Sequence, residues 1–272
     1  MTNAPATDLA QLKAGQQQTW SSGDYGKIAW LTVPLGDATC EAVDLRAGST
    51  VLDVATGTGH VALAAARRFG DVTGIDYVPA LLAVARDRAA AEGLAVEFRE
   101  ADAEALPFAA DSFDYVLSAI GVMFTADHER AASELVRVCR PGGQIGLASW
   151  TPAGFVGRML KTVSSHVPPP SAAKPPTRWG SEDAVRELLG DGVDELTSKT
   201  AVVTQRMPSP EFFADFFLQN YGPTLKAYQR LPEEGGRTLR DDLVALAAES
   251  NRATDGTLVC DWEYLVTVAR KA

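Results

Sequence analysis

Short apolar runs alternate with amphipathic segments between residues 49 and 150. Five runs predict strands: "TVLDVA" (50–55), "DVTGID" (71–76), "LAVEFRE" (94–100), "FDYVLSAI" (113–120) and "QIGLASW" (144–150). The segments between them place apolar residues at helical spacing, as Leu135, Val136 and Cys139 do within 127–140. Strands that alternate with helices in this way indicate βαβ units and a parallel sheet.

The pattern changes after Trp150. The sequence predicts helices over 153–166 and 181–190, a proline-rich connector over 167–176, and a strand over 195–207. Residues 209–250 are expected to be mostly helical, with breaks near Gly222-Pro223 and Gly235-Gly236. A last strand is expected over 262–270, and a helical piece over 8–20 precedes the sheet. Both helical parts are placed to cover the ends of the central strands.

Composition narrows the class of protein. The 272 residues carry 25 basic and 35 acidic side chains, a net charge of −10, which makes nucleic acid a poor partner. Neither a secretory signal nor a membrane-spanning apolar run is visible, and the three cysteines have no metal-binding spacing. We therefore expect a cytoplasmic protein, monomeric or homodimeric, that acts on a small molecule.

A glycine-rich loop follows the first predicted strand. "GTGHVA" (57–62) fits G-x-G-x-x-A, the loose form of a dinucleotide fingerprint. Asp76 ends the second strand 17 residues after Gly59, where a carboxylate can accept hydrogen bonds from ribose hydroxyls. A nicotinamide dinucleotide and an adenosyl sulfonium meet these two requirements equally well, so the loop alone leaves the ligand open.

Two further carboxylates favour the smaller ligand. Asp53 lies inside the first strand, close to where a pyrophosphate would bind, and its charge disfavours a dianion there. It can instead accept hydrogen bonds from an ammonium, directly or through water. Asp102 follows the third strand, where it can accept from the exocyclic amine of adenine while the N–H of Ala103 faces a ring nitrogen. An adenosyl amino acid therefore fits better than a dinucleotide.

Four segments carry a resemblance over about residues 45–150. "VLDVATGTG", "GIDYVPALLAVAR", "EADAEALPFAADSFDYVLSAIGVMF" and "ELVRVCRPGG" follow the order and spacing of class I S-adenosylmethionine-dependent methyltransferases. The chain most resembles their ubiquinone/menaquinone-type, or type 11-like, branch. The resemblance implies a Rossmann-like α/β fold: a seven-stranded, mostly parallel, doubly wound sheet whose last strand is antiparallel. It also implies S-adenosyl-L-methionine as cofactor and S-adenosyl-L-homocysteine as product.

The resemblance assigns the cofactor contacts. The methionine moiety would lie along Asp53 to Gly59, the ribose on Asp76, the adenine ring against Tyr77, and the reactive methyl beside Ser118. The residues expected to bind the cofactor in this way are Asp53, Ala55, Thr56, Gly57, Gly59, Asp76, Tyr77, Asp102, Ala103 and Ser118. Ala55 stands where the family usually has glycine.

The chain is predicted to form one methyltransferase domain, 1–272, with three parts. Residues 1–45 would form a helical lid, 46–150 the cofactor-binding core, and 151–272 the remaining strands with a helical substrate-covering segment at about 208–256. "WSSGDYGKIAW" (20–30) suggests that Trp20 or Tyr25 closes over the cofactor or substrate. A packed pair of N-terminal helices explains the same residues.

Aromatic residues are the candidates for the substrate pocket. "EFFADFFLQNYGP" (211–223) places four phenylalanines on one helical stripe with Tyr221 a turn later, and core packing is the alternative explanation. The predicted pocket residues are Phe124, Trp150, Phe213, Phe217 and Tyr221.

His128 is the leading candidate for a general base because it follows the fourth strand. Its alternative role is structural, at the start of a helix capped by Asp127. His60 is expected to contribute its backbone N–H. The end of strand four, Ser118 to Gly121, lacks both the Asn/Asp-Pro-Pro-Tyr pattern and an aspartate cluster, so no catalytic Mg²⁺ is expected.

The sequence thus predicts methyl transfer by in-line displacement to a quinone, phenol or other lipophilic metabolite. Three alternatives remain: a non-catalytic protein that binds S-adenosylmethionine, a nicotinamide-dependent oxidoreductase and an RNA methyltransferase. The oxidoreductase lacks an evident Tyr-Lys or His-Asp pair, and the acidic charge disfavours the RNA enzyme.

Overall fold

The computed structural model describes residues 6–272, which form a seven-stranded sheet with helices on both faces. The strand order is β3-β2-β1-β4-β5-β7-β6. Strand β7 is antiparallel to both of its neighbours, and every other pair is parallel. The strands are β1 Thr50–Val54, β2 Asp71–Asp76, β3 Glu97–Glu100, β4 Phe113–Ala119, β5 Cys139–Trp150, β6 Val193–Met207 and β7 Leu258–Lys271. The predicted fold class is therefore confirmed.

Successive side chains of the central strands point alternately into two separate apolar cores. In β1, Leu52 and Val54 join one cluster and Val51 joins the other. A strand that is buried on both faces shows no regular alternation of apolar and polar residues, and residues 51–54 of β1 are all buried, Asp53 among them. The helices are α1 Ala6–Trp20, α2 Tyr25–Ala29, α3 Val33–Ala42, α4 His60–Ala66, α5 Pro79–Glu92, α6 His128–Val138, α7 Phe155–His166, α8 Glu182–Leu189, α9 Pro210–Asn220, α10 Gly222–Arg230 and α11 Glu233–Glu249.

Two element boundaries differ from the expectation. Helix α11 runs through Gly235 and Gly236, and the break lies instead at Leu231-Pro232, because proline has no N–H with which to continue the preceding helix. Strand β5 begins at Cys139 rather than after the Pro141-Gly142-Gly143 turn signal. The break predicted near Gly222-Pro223 is confirmed, since α9 ends at Asn220 and α10 begins at Gly222.

The turn between α1 and α2 is tied to the junction of α9 and α10. The N–H of Asp24 donates to the carbonyl of Asn220 at 3.0 Å, and Gly23 forms a bridge with Tyr221. A Cβ on Gly23 would lie 2.2 Å from that same carbonyl oxygen, so only glycine allows the approach. This contact closes the helices over the carboxyl ends of the central strands.

In the described part of the chain, none of the helices has the length and apolar character needed to cross a bilayer.

Candidate active site

A cleft of about 1200 Å³, including its open mouth, lies where the carboxyl ends of β1, β2, β3 and β4 meet. Ligands bind at this edge in open α/β sheets. Two groups of lining residues differ in chemistry. The polar side comprises Lys13, Ala55, Thr56, Gly57, Thr58, His60, Asp76, Tyr77, Asp102, Ala103 and Glu104. The aromatic side comprises Trp20, Tyr25, Phe124, Trp150, Phe217, Tyr221 and Trp262, together with Ile28, Val156 and Met159.

Asp76 connects the glycine loop to the end of β2. Its two carboxylate oxygens accept hydrogen bonds from the backbone N–H groups of Gly57 and Val78, each at 2.9 Å. The side chain lines the cleft, and burial raises its pKa to about 6. The carboxylate therefore stands at the predicted ribose position, and its placement also sets the position of Gly57.

Asp53 has a different position from the one expected. Its carboxylate accepts from the Thr56 hydroxyl at 2.5 Å and from the Ala62 N–H at 2.9 Å, and the residue is not among those lining the cleft. Burial raises the pKa of this carboxyl to about 7. Asp53 therefore connects the loop to the first turn of α4 and lies behind the lining of the cleft. Gly59 also lies outside the lining of the cleft. It is the N-cap residue of α4 and has a φ of 89°.

Helix α1 reaches the predicted adenine edge. Lys13 Nζ lies 2.6 Å from Asp102 Oδ2 and 2.5 Å from Glu104 Oε2, and Gln17 Nε2 donates to the Tyr77 carbonyl at 2.6 Å. Asp102 Oδ1 accepts from the Glu104 N–H at 2.9 Å. Sequence reasoning missed Lys13, because its partners lie about ninety positions away and no local pattern connects them.

The ends of β1 and β4 touch at the floor of the cleft. Ala55 and Ile120 have φ angles of 54° and 67°, and a Cβ on Gly121 would lie 2.3 Å from the Ala55 carbonyl oxygen. A left-handed conformation is unusual for alanine and strained for a β-branched residue. The Ser118 hydroxyl donates to the Val54 carbonyl at 2.7 Å and accepts from the Val122 N–H at 3.1 Å. Ser118 thus connects the backbone on either side of this floor through its hydroxyl and does not line the cleft.

The aromatic side is a chain of ring contacts. Trp20 packs edge-on against Phe124 at 4.7 Å and against Tyr25 at 5.5 Å between centroids. Phe217 lies 5.7 Å from both Tyr221 and Trp262. The Tyr25 hydroxyl and the Trp262 indole N–H are buried and have no hydrogen-bond partner within residues 6–272. Trp262, which begins the predicted last strand, was not recognised from the sequence as a pocket residue.

The phenylalanine stripe divides between core and cleft. Phe217 lines the cleft, whereas Phe213 is fully buried behind it, 5.1 Å from Phe155, and is not a lining residue. Phe212 is 44% exposed. Successive residues of α9 face different directions at 100° per residue, so the four rings do not share one face. Core packing accounts for Phe213, and the pocket prediction for it is not supported.

The two histidines near the loops differ in position. His128 lies against Trp179 with ring centroids 5.9 Å apart, is 1% exposed and does not line the cleft. Asp127 caps α6 by accepting from the Arg130 N–H, so His128 has the structural position of a first-turn residue. His60 does line the cleft, and its Nδ1 lies 3.0 Å from the Arg88 guanidinium. Because arginine only donates, Nδ1 accepts and the proton resides on Nε2.

The charges of the cleft restrict its ligand. Among the described lining residues, Lys13 is the one basic side chain that carries a charge at neutral pH, and the lining also includes three acidic side chains, those of Asp76, Asp102 and Glu104. An acidic cleft attracts a ligand with a positive centre and disfavours a pyrophosphate. Within residues 6–272, no three His, Cys, Asp or Glu side chains come together as a metal site.

Comparisons with known proteins agree with this geometry. The family model described as a methyltransferase domain matches residues 51–143. The chain is 44% identical to the uncharacterized protein Rv1405c of Mycobacterium tuberculosis, over 99% of this chain and 98% of that protein. It is 47% identical to a demethylmenaquinone methyltransferase of Thermus thermophilus, over 41% of this chain and 53% of the relative. The solved phosphoethanolamine N-methyltransferase 2 of Haemonchus contortus, in complex with S-adenosyl-L-methionine, shares the fold: TM-score 0.55, 19% identity, 88% of this chain and 52% of that chain.

Proposed function

We propose that this chain, which belongs to the class I S-adenosylmethionine-dependent methyltransferases of the type 11-like branch, methylates a flat, lipophilic small molecule such as a phenol or quinol. The cofactor is S-adenosyl-L-methionine. The observation that carries the proposal is the division of one cleft into a carboxylate-bearing polar side and an aromatic side. One side suits a cationic adenosyl ligand, and the other suits an apolar ring.

The polar side offers a partner for each part of the cofactor. In this proposal Asp76 accepts from the ribose hydroxyls, Tyr77 packs along the adenine, and Asp102 with the Ala103 N–H reads the adenine edge. The loop from Ala55 to Gly57 holds the methionine moiety. When bound, the cofactor supplies a methyl group already activated on a sulfonium. Asp53 and Ser118 act indirectly, by fixing the loop and the floor on which these contacts depend.

The chain's own contribution is alignment and exclusion of water. Helices α1 and α2 cover the cleft with Trp20 and Tyr25, and their attachment to α9 and α10 through Asp24 and Asn220 keeps that cover in place. Holding two reactants in line can lower a barrier by roughly 7–11 kcal/mol. Closure also keeps water from the reacting centre.

The acceptor class follows from the lining of the aromatic side. Seven aromatic residues and three apolar ones surround this space, and such surfaces bind planar apolar molecules. The name of the Thermus relative supports a quinone-type ring as one candidate.

The proposal is tested first by calorimetry of ligand binding and then by an assay of methyl transfer. We expect S-adenosylhomocysteine to bind and NADH not to bind, and we expect label from a methyl-labelled donor to enter hydroxynaphthalenes and naphthoquinols. Clear NADH binding without S-adenosylhomocysteine binding would overturn the proposal. Binding without transfer to any acceptor in the panel or in a metabolite extract would favour the non-catalytic alternative.

A further inference from the structure

We infer that Ile120 is the residue that selects among flat acceptors and sets their orientation towards the methyl donor. The inference rests on the proposed methyl transfer and adds the side chain that determines acceptor specificity. Ile120 follows β4, is half-buried, packs in part against the larger apolar core, and lines the cleft. The part of the residue that stays accessible is therefore available to a ligand.

The backbone at Ile120 forms a strained three-residue turn. Ile120 has a φ of 67°, and the Gly121 N–H donates to the Ala119 carbonyl at 2.7 Å. A hydrogen bond that spans three residues around a positive φ defines the rare and strained form of the γ-turn. A β-branched side chain is an outlier in this left-handed region, because its Cβ crowds the following carbonyl oxygen.

Neighbouring contacts hold the turn in this conformation. The Ile120 N–H donates to the Ala148 carbonyl at 2.7 Å, and the Ser118 hydroxyl bonds to backbone on both sides of the cleft floor. A Cβ on Gly121 would lie 2.3 Å from the Ala55 carbonyl oxygen, so the residue after Ile120 has to be glycine. Strained backbone persists only where the surrounding contacts outweigh it, and it is concentrated at ligand sites.

Ile120 differs from the other non-glycine residues of positive φ in the described chain, which are Asp44, Ala55, Phe69 and Asp111. Aspartate tolerates this region because its short polar side chain bonds locally, and Phe69 is 80% exposed. Within this set only Ala55 and Ile120 line the cleft, and only Ile120 is β-branched. Glycine would form the same turn with less strain, so the turn itself does not require the Ile120 side chain.

The position of Ile120 is where the polar and aromatic sides meet. Gly121 closely approaches Ala55, in the loop that holds the methionine moiety in the proposed function. Phe124 of the aromatic side follows in the same segment, and its N–H donates to the Gly121 carbonyl at 3.1 Å. A branched side chain with restricted χ1 rotamers at this point limits how closely each edge of an acceptor ring approaches the methyl donor.

The first experiment measures the binding of naphthol and of methylnaphthols that each carry one methyl group at a different ring position. Tryptophan fluorescence reports binding in the presence of S-adenosylhomocysteine. We expect at least one methylnaphthol to bind the wild type about tenfold more weakly than naphthol, and Ile120→Ala to remove this difference. Ile120→Val keeps a branched side chain and should preserve it. The same order of affinities in the wild type and in Ile120→Ala would overturn the inference.

Leu81→Ala is the matched control for the loss of an aliphatic side chain. Leu81 is also half-buried and lines the cleft, but it lies on α5, shortly after Tyr77 of the polar side. We expect this variant to keep the wild-type order of naphthol affinities. A change as large as that in Ile120→Ala would show that any loosening of the cleft alters the selection, which contradicts a specific role for Ile120.

The second experiment follows the products of methyl transfer. The acceptor is an unsymmetrical dihydroxynaphthalene, and the ratio of its two monomethyl ethers is measured. We expect Ile120→Ala and Ile120→Gly to change this ratio by about threefold or more, because the ring can then turn in the cleft. The affinity for S-adenosylhomocysteine should change little in both variants. A side chain with a purely structural role would leave the ether ratio as it is in the wild type.

The third experiment tests the strain on which the inference depends. Ile120→Ala and Ile120→Gly both remove the branched side chain, but only glycine relieves the left-handed φ. We expect the thermal midpoint of Ile120→Gly to lie about 2–4 °C above that of Ile120→Ala, the reverse of the order at ordinary helix or strand positions. A lower midpoint for the glycine variant would show that the turn is not strained and would overturn the inference.

The failure of this inference is distinguishable from that of the proposed function. If S-adenosylhomocysteine does not bind, the proposed function is wrong. If it binds but no naphthol does, the proposed acceptor class is wrong, and the inference with it. If both bind and methyl transfer occurs, but Ile120→Ala leaves the naphthol affinities and the ether ratio unchanged, only the inference is wrong. Circular dichroism of each variant confirms that it is folded.

Discussion

The polar and aromatic sides of the cleft are built in different ways. Apart from Lys13, the polar side comes from residues 55–104, in loops that follow three neighbouring parallel strands. The aromatic side draws on residues from Trp20 to Trp262, contributed by α1, α2, β5, α7, α9 and β7 and by the connecting segments that carry Phe124 and Tyr221. Backbone geometry at strand ends positions the polar side, whereas packing of rings from distant segments positions the aromatic side.

This difference means that the two sides should respond to separate changes. Asp76 is held by two backbone N–H groups, so its position depends on the loop and not on the covering helices. Phe217 is held by Phe213, Tyr221 and Trp262, so its removal disturbs the cover and leaves the loop intact. Variants on the aromatic side should therefore change the stability of the protein, and variants on the polar side should change its affinity for the cofactor.

The largest expected effect is on stability. Phe217→Ala removes a ring that is 3% exposed, and we expect the free energy of unfolding to fall by about 3–5 kcal/mol in urea titrations. Phe212→Ala, on the same helix but 44% exposed, is the matched control and should cost under about 1 kcal/mol. Equal losses in the two variants would contradict the assignment of Phe217 to the packed side.

The next effect is on cofactor affinity. Asp76→Ala removes the acceptor proposed for two ribose hydroxyls, and we expect S-adenosylhomocysteine to bind about 3 kcal/mol more weakly in calorimetry. Asp102→Ala should weaken binding by about 1.5–3 kcal/mol. Asp71→Ala, at the exposed opposite end of the same strand, is the control and should bind like the wild type. A comparable loss in Asp71→Ala would show that the effect comes from general destabilisation.

The pH dependence of stability tests the buried carboxyl beneath the polar side. The folded-state pKa of Asp53 is raised from 3.8 to about 7, so the folded protein holds a proton that the unfolded chain releases. This contribution to stability is present below pH 4 and is lost as the pH rises towards 7, by about 1.4 kcal/mol per pH unit within that window.

Asp53→Asn keeps an oxygen for the Thr56 and Ala62 donors and cannot ionise. We expect its unfolding free energy to fall less than that of the wild type between pH 5.5 and 6.5, by about 1.4 kcal/mol. Urea unfolding at the two pH values measures the difference. Parallel pH profiles for the two proteins would show that Asp53 titrates normally.

The smallest effect concerns the floor between the two sides. Ala55 has a φ of 54°, which glycine adopts without strain. Ala55→Gly should raise the unfolding free energy by about 0.5–1 kcal/mol, since relief of strain outweighs the greater freedom of glycine in the unfolded chain. S-adenosylhomocysteine affinity should change little. A lower thermal midpoint for this variant would mean that the methyl group of Ala55 contributes packing that outweighs its strain.

Much of the polar side could be predicted from the sequence. The carboxyl ends of neighbouring parallel strands meet at one edge, so the position of Asp76 at the end of β2 and of Asp102 after β3 follows from the order of strands alone. The same reasoning could not show that Asp53 and Ser118 lie one layer behind the lining. Sequence indicates that a polar residue is near a strand end, but not whether its side chain bonds to the ligand or to the loop.

The sequence by itself determined the fold class, the strand-end loops and the acidic character of the ligand site, because these depend on local periodicity and on residues close along the chain. Only the tertiary structure decided that Lys13 and Trp262 line the cleft and that His128 and Phe213 do not. These outcomes depend on packing between segments that are far apart in the chain, such as Trp20 against Tyr221, which no local pattern encodes.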